Sequence, residues 1–177
     1  ETQVKGYALS FIQDPVAENL YFLGTEIGLY VSIDAGKHWT KWTNGYPTVS
    51  TMDLKIQERE IDLVIGTYGR AAYIIDNFQP LRELAIKDTS LLNADLHLFP
   101  VQYAAIMAYG SAPGYFSAGD GEYSGQNEYT AVMIDYIAAP NKEIKDSILI
   151  QVYDLNDTLL TTMRKSPQKG IQLTYWG

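Results

Sequence analysis

The chain has no cysteine, which removes disulfide staples, thiolate nucleophiles and cysteine-based metal sites and leaves the compartment open. Cations are scarce too: 13 Lys+Arg stand against 21 Asp+Glu, a formal net charge of −8. A chain with no surplus of cations cannot displace the counterions of a phosphate backbone, so no nucleic-acid partner is expected. Adsorption to an anionic membrane through a basic face is not expected, for the same reason. No apolar run approaches the roughly 18–20 residues needed to cross a bilayer, and no membrane span is expected. Nor does Glu1 open a leader with a charged start and an apolar centre. What is plentiful is tyrosine. With 14 Tyr, 3 Trp and 5 Phe in 177 residues, the composition favours strands, and a hydrophobic content of 46% is too high for a disordered chain.

Periodicity supports β structure along most of the length. Tyr7, Leu9 and Phe11 alternate with Ala8, Ser10 and Ile12, and Met52, Leu54 and Ile56 alternate with Asp53 and Lys55, the two-residue period of a strand with one face in a core. Further strand-like runs cover 20–24, 29–33, 38–42, 63–67 and 72–75, then 129–137, 147–153, 158–163 and 171–175. Turn residues separate them, among them Asp14-Pro15, Asp34-Ala35-Gly36, Asn44-Gly45 and Asn156-Asp157. Only Leu81–Thr89 has the makings of a short helix, and it lacks convincing caps. The expected fold class is all-β.

An internal repeat runs through the first half. Phe22-Leu23-Gly24-Thr25 recurs 42 residues later as Val64-Ile65-Gly66-Thr67, and Ser32-Ile33-Asp34 recurs loosely at the same offset as Ile74-Ile75-Asp76. A period of roughly 40–45 residues with about four short strands is what one propeller blade requires, a small twisted sheet that needs neighbours on both faces. The composition changes after Phe78. Residues 79–96 read as a connector, His97-Leu98-Phe99-Pro100 as a short strand or anchor, and 109–128 as a Gly/Ser/Tyr-rich loop of a length that is functional, disordered or packed across a neighbour. From 129 the strands resume with the hairpin spacing of a sandwich.

The most specific string is Ser32-Ile33-Asp34-Ala35-Gly36-Lys37-His38-Trp39. It reads Ser-x-Asp-x-Gly-x-x-Trp and resembles the Asp-box of BNR-type repeats in sialidases, some glycoside hydrolases and sortilin-like propellers. A carboxylate at Asp34 can accept backbone amides across a tight turn, Gly36 permits positive φ, and Trp39 can pack beneath the turn. The resemblance implies an architectural role for Ser32, Asp34, Gly36 and Trp39 at the outer edge of a blade. Leu23 to Ser32 is similar to the Gly-Thr-Glu-x-Gly-Leu-Tyr-Val-Ser strand pair of secreted bacterial sortilin-like propellers, and Ile65 to Asp76 to their final-blade string. Residues 114–137 resemble the segment joining such a propeller to an immunoglobulin- or fibronectin-like domain, and 150–154 with 170–176 resemble strands of that domain. The resemblance implies terminal blades of a β-propeller over 1–85, a connector and aromatic loop over 86–128, and a partial β-sandwich over 129–177. Two blades do not close a ring, so residue 1 reads as an internal residue of a larger secreted, periplasmic or cell-surface bacterial protein whose remaining blades are its first partners.

In a blade, the loop between the second and third strands opens on the face where propellers usually bind ligands. Glu26 occupies it in the first repeat, and Tyr68, Gly69 and Arg70 in the second. A carboxylate, a phenol and a guanidinium there suit a sugar or a peptide terminus. The competing reading has Glu26 and Arg70 pairing with each other or with other blades. Catalysis has little support. A sialidase needs clustered arginines, and the chain has only Arg59, Arg70, Arg82 and Arg164. Asp53 and Asp62 sit at strand edges rather than flanking a cleft, and His38 and His97 suggest neither a triad nor a metal site. Asp120-Gly121-Glu122 is a lone acidic turn, weak grounds for calcium. No cofactor is expected. Asp146-Ser147-Ile148 and Asp157-Thr158-Leu159 resemble O-glycosylation tripeptides of exported bacterial proteins, and Asn156-Asp157-Thr158 is an N-glycosylation sequon. The expected function is a ligand-binding or scaffold module for glycan or peptide. The alternatives are part of a glycoside hydrolase whose catalytic acids lie elsewhere, and an accessory subunit of an export or surface-uptake complex.

Overall fold

The computed structural model describes residues 3–87, 89–102, 131–138, 147–168 and 170–177. The loop at 109–128, the Asp120-Gly121-Glu122 turn and Asp146 lie outside the described residues. The fold is mostly β, in several small antiparallel sheets, none of them closed.

Strands β1 (Ala8–Gln13), β2 (Tyr21–Thr25), β3 (Gly28–Ser32) and β4 (Thr40–Lys41) form a four-stranded antiparallel sheet in sequence order. Strands β5 (Thr51–Gln57), β6 (Asp62–Thr67) and β7 (Ala72–Ile75) form the next, three-stranded sheet. The two share one core: Phe22, Leu29 and Val31 from the first join Leu54, Ile56, Leu63 and Ile65 from the second, with Tyr46, Val49 and Phe78 between. Burying side chains of this size contributes about 1.5–3 kcal/mol each. Gly24 marks the closest approach: a Cβ there would lie 2.6 Å from the Thr51 carbonyl oxygen and 2.2 Å from the Ser10 hydroxyl. The Ser10 hydroxyl donates to that same carbonyl at 3.1 Å.

The alternation on β1 exists with its large side chains outward. Tyr7 is 77% and Phe11 56% exposed, while Ile12 packs against the core. On β5, Leu54 and Ile56 are buried but Met52 is 47% exposed. The register shifts between Thr51 and Asp53, so buried Thr51 takes the inward place that a regular alternation gives to Met52.

A nine-residue helix, α1 (Gln79–Lys87), follows the second sheet, and a 3₁₀ turn spans Thr89–Asn93. The expected helix was one without caps; the cap is Asn77, two residues ahead of the first helical residue. Its side-chain oxygen accepts the Gln79 amide at 3.3 Å, Pro80 sits in the first turn, and Lys87 complements the carboxyl end. With the 42-residue offset, α1 stands where the second sheet would have its fourth strand. The helix is anchored by a buried ion pair: Arg82 Nε and Nη2 donate to both Asp14 carboxylate oxygens at 2.7–3.0 Å. Asp14 Oδ2 also accepts the amides of Val16 and Ala17, and the guanidinium lies over the Phe78 ring.

The C-terminal part contains β8 (Leu96–Leu98), β9 (Val132–Ala138), β10 (Ile148–Tyr153), β11 (Leu159–Lys165) and β12 (Ile171–Trp176). The order β12-β9-β8 makes one sheet and the β10-β11 hairpin another. Asp154 closes that hairpin, its Oδ1 accepting the amides of Asn156 and Thr158, and these bonds lower its pKa. Asn77 joins the two halves: with φ at +46°, it donates to Asp135 Oδ2 on β9 at 2.9 Å and accepts Gln102 Nε2 at 2.6 Å.

Candidate functional site

Ser32, Asp34, Gly36 and Trp39 build one turn at the end of β3. The Ser32 hydroxyl donates to Asp34 Oδ1 at 2.8 Å and accepts the Gly36 amide at 2.9 Å. Asp34 Oδ1 accepts the His38 amide, and Oδ2 meets His38 Nδ1 at 2.5 Å. Ala35 and Gly36 both have positive φ, 58° and 81°, and the Trp39 ring lies beneath Gly36 beside Tyr21. Desolvation, the largest single influence on Asp34, raises its pKa; the bonds from the His38 amide and ring and from Ser32 together outweigh it and hold the carboxyl at about 2. The Ser32 hydroxyl and both Asp34 carboxylate oxygens are thus engaged within the turn.

That lowered pKa has a signed consequence. The folded value of about 2 lies below the unfolded value near 3.8, so the stabilisation is complete above pH 4 and is lost as pH falls through 2. Asn at position 34 removes the charge and is expected to flatten the acid limb of the stability profile by about 1 kcal/mol, solvent screening at this surface turn reducing the full effect. Urea denaturation of the wild type and Asp34→Asn between pH 2 and 7 checks it; parallel acid limbs would contradict the assignment.

Glu26, Tyr68 and Arg70 occupy equivalent turns brought to one edge. Thr25 closes the first turn through its hydroxyl, which donates to the Gly28 carbonyl and accepts the Ile27 amide. Thr67 closes the second by donating to the Ala71 carbonyl at 2.6 Å. Ser50 ties the two together: its hydroxyl donates to the Glu26 carbonyl and its own carbonyl accepts the Tyr68 amide, both at 3.0 Å. Glu26 and Arg70 do not pair. The Glu26 carboxylate accepts the Tyr7 amide at 3.3 Å, while Arg70 is exposed with no partner among the described residues. Tyr68 is 77% exposed.

No arginine cluster forms among the described residues. Arg82 is committed to Asp14. Arg59 pairs with Glu60 in the β5–β6 turn, at the opposite end of that sheet from Arg70, and Arg164 lies on β11. His38 meets Asp34, and His97 meets buried Glu83 at 3.2 Å. No three His, Asp or Glu side chains converge on a metal position among the described residues.

A groove that sequence reasoning missed lies at the other end of β7. Its walls come from the β4–β5 connection (Trp42, Asn44, Tyr46), from the end of β7 into α1 (Tyr73, Asp76, Asn77), and from β9 and β12 (Asp135, Gln172), enclosing about 330 Å³. Trp42 is held by its indole N–H, which donates to the Asn44 carbonyl at 2.9 Å, and Tyr73 stacks edge-on with Tyr46 at 5.1 Å. Burial pushes Asp135 up to about 6, and burial together with the Asp62 charge raises Asp76. Among the described residues no lysine, arginine or histidine lines the groove.

No known protein family, curated protein or solved structure matches the chain. The site has to be judged on its own chemistry.

Proposed function

We propose that the chain is a recognition module, consisting of the terminal blades of a propeller followed by part of a sandwich, and that it presents a ligand-binding edge for glycan or peptide at an extracellular bacterial surface. One observation carries the reading: the two sheets repeat in their faces as well as in their sequence. The cross-strand row Phe11, Leu23, Tyr30 of the first sheet matches the row Leu54, Ile65, Tyr73 of the second. The second sheet turns that row toward its neighbour, whereas the first turns Phe11 outward, 56% exposed. Tyr30 of that row is already buried, and a sheet like the first, carrying an inner face of Phe22, Gly24, Leu29 and Val31, is the occupant that exposed Phe11 and half-buried Leu23 fit, which is the head-to-tail stacking of successive blades.

The same repetition sets Glu26 beside the Tyr68–Arg70 turn. The ligand contacts are assigned to the side chains of Tyr68 and Arg70, which are exposed and without polar partners among the described residues. Screening the 177-residue chain on glycan and peptide arrays tests this. The double variant Tyr68→Ala/Arg70→Ala is expected to lose about tenfold or more in affinity for a retained ligand with an unchanged melting temperature. A loss of stability without a change in affinity would overturn the assignment.

A further inference from the structure

The groove at the end of β7 fits a ligand chemistry different from that of the loop edge. We infer that it is a binding site for one neutral sugar ring, seated on Trp42 and Tyr73 and hydrogen-bonded through its hydroxyls to Asp76 and Asp135.

The size, walls and polarity of the groove lead to this ligand. A volume of about 330 Å³ is at the small end of the roughly 300–1,000 Å³ of ligand sites, enough for a ring and one substituent but not for a folded peptide segment. Trp42 and Tyr73 are half-buried on its wall. The Trp42 indole N–H is already bonded, so what Trp42 offers a ligand is its apolar ring, and the apolar face of a pyranose suits an aromatic surface. The carboxylates of the same lining bring acceptors. The exposed Asp76 carboxylate has no hydrogen-bond partner among the described residues, and half-buried Asp135 has one oxygen bonded to Asn77. A ligand completing these groups has to donate hydrogen bonds, as sugar hydroxyls do. An anion is disfavoured: the described residues of the lining include two carboxylates and no cation, and the chain carries a net charge of −8.

The inference stands apart from the loop edge, because that edge lies at the start of β7 and the groove at its end, and variants separate them. The experiment titrates the 177-residue chain with neutral monosaccharides and their disaccharides. Tryptophan fluorescence in a Trp39→Phe/Trp176→Phe background leaves Trp42 as the reporter. A saturable change with at least one sugar is expected. Asp76→Asn should weaken it by about fivefold or more at unchanged melting temperature, while Tyr68→Ala/Arg70→Ala leaves it intact. Any of these results would overturn the inference: no saturable response to any sugar at millimolar concentration; a response that Asp76→Asn and Asp135→Asn both leave unchanged; or a response to N-acetyl-lysine amide in place of the sugars, which would make the groove a cation site. Sugar binding abolished only by the loop-edge variant would also end it, while leaving the proposed function standing.

Discussion

Gly24→Ala is expected to cost about 3 kcal/mol or more, with the melting temperature falling by about 6–12 °C, while Gly66→Ala stays within about 0.5 kcal/mol. The two glycines occupy equivalent positions of the repeat, yet their surroundings differ. A methyl on Gly24 would sit 2.6 Å from the Thr51 carbonyl oxygen and 2.7 Å from Thr51 Cγ2. Backbone on the facing strand cannot step aside without opening the interface between the sheets. A methyl on Gly66 meets Asp53 Cβ at 3.5 Å, an ordinary contact, and fills an open sheet face where glycine itself weakens a strand. Neither glycine has positive φ, so backbone strain does not enter the comparison. Denaturant unfolding of both variants decides it. Equal costs would show that the sheets do not meet at Gly24.

The second large effect concerns Asp14 and Arg82. Arg82→Met is expected to destabilise by about 3–5 kcal/mol, because it leaves a carboxylate with no exposure uncompensated by its cation. Asp14→Ala should cost more still, since it strands the guanidinium and also the Val16 and Ala17 amides. Arg82→Lys is not conservative here: a point charge cannot reproduce the two-nitrogen fork on both carboxylate oxygens. The double variant Asp14→Ala/Arg82→Met is expected to lose less than the sum of the singles, the mark of direct coupling. Urea titrations of the four proteins give that coupling energy; strict additivity would show that the pair does not hold α1 in place.

Local patterning made the strands legible. Two-residue alternation and turn residues placed nearly every described strand within a few positions, and the Ser-x-Asp-x-Gly-x-x-Trp string marked a turn in which Ser32 and Asp34 bond to Gly36 and His38, while the Ala35 and Trp39 amides reach out to Asn19 and Gln3. The helix was harder to read. Its cap, Asn77, stands two residues ahead of the first helical residue, and its anchor, Asp14, lies 68 residues away in sequence. Met52 was misjudged because a bulge shifts the register at one residue, and alternation alone carries no sign of it.

The candidate sites divide the same way. Glu26, Tyr68 and Arg70 belong to turns that the repeat already marked as equivalent, so their shared edge followed from the offset, though Ser50, which joins them, did not stand out. The groove could not be read at all. Trp42, Asp76 and Asp135 each look like ordinary strand-end residues, and only the docking of β9 and β12 against the end of β7 brings them together.

By itself the sequence determined that the chain is β-rich, that it repeats at 42 residues, and that Asp34 serves a turn. Each of these depends on neighbours close along the chain or on a regular period. The tertiary structure decided which face of the first sheet is outward, that α1 replaces a fourth strand, and that Asp76 and Asp135 share a groove. Those outcomes depend on desolvation and packing between segments far apart in sequence, and burial exists only once the chain has folded.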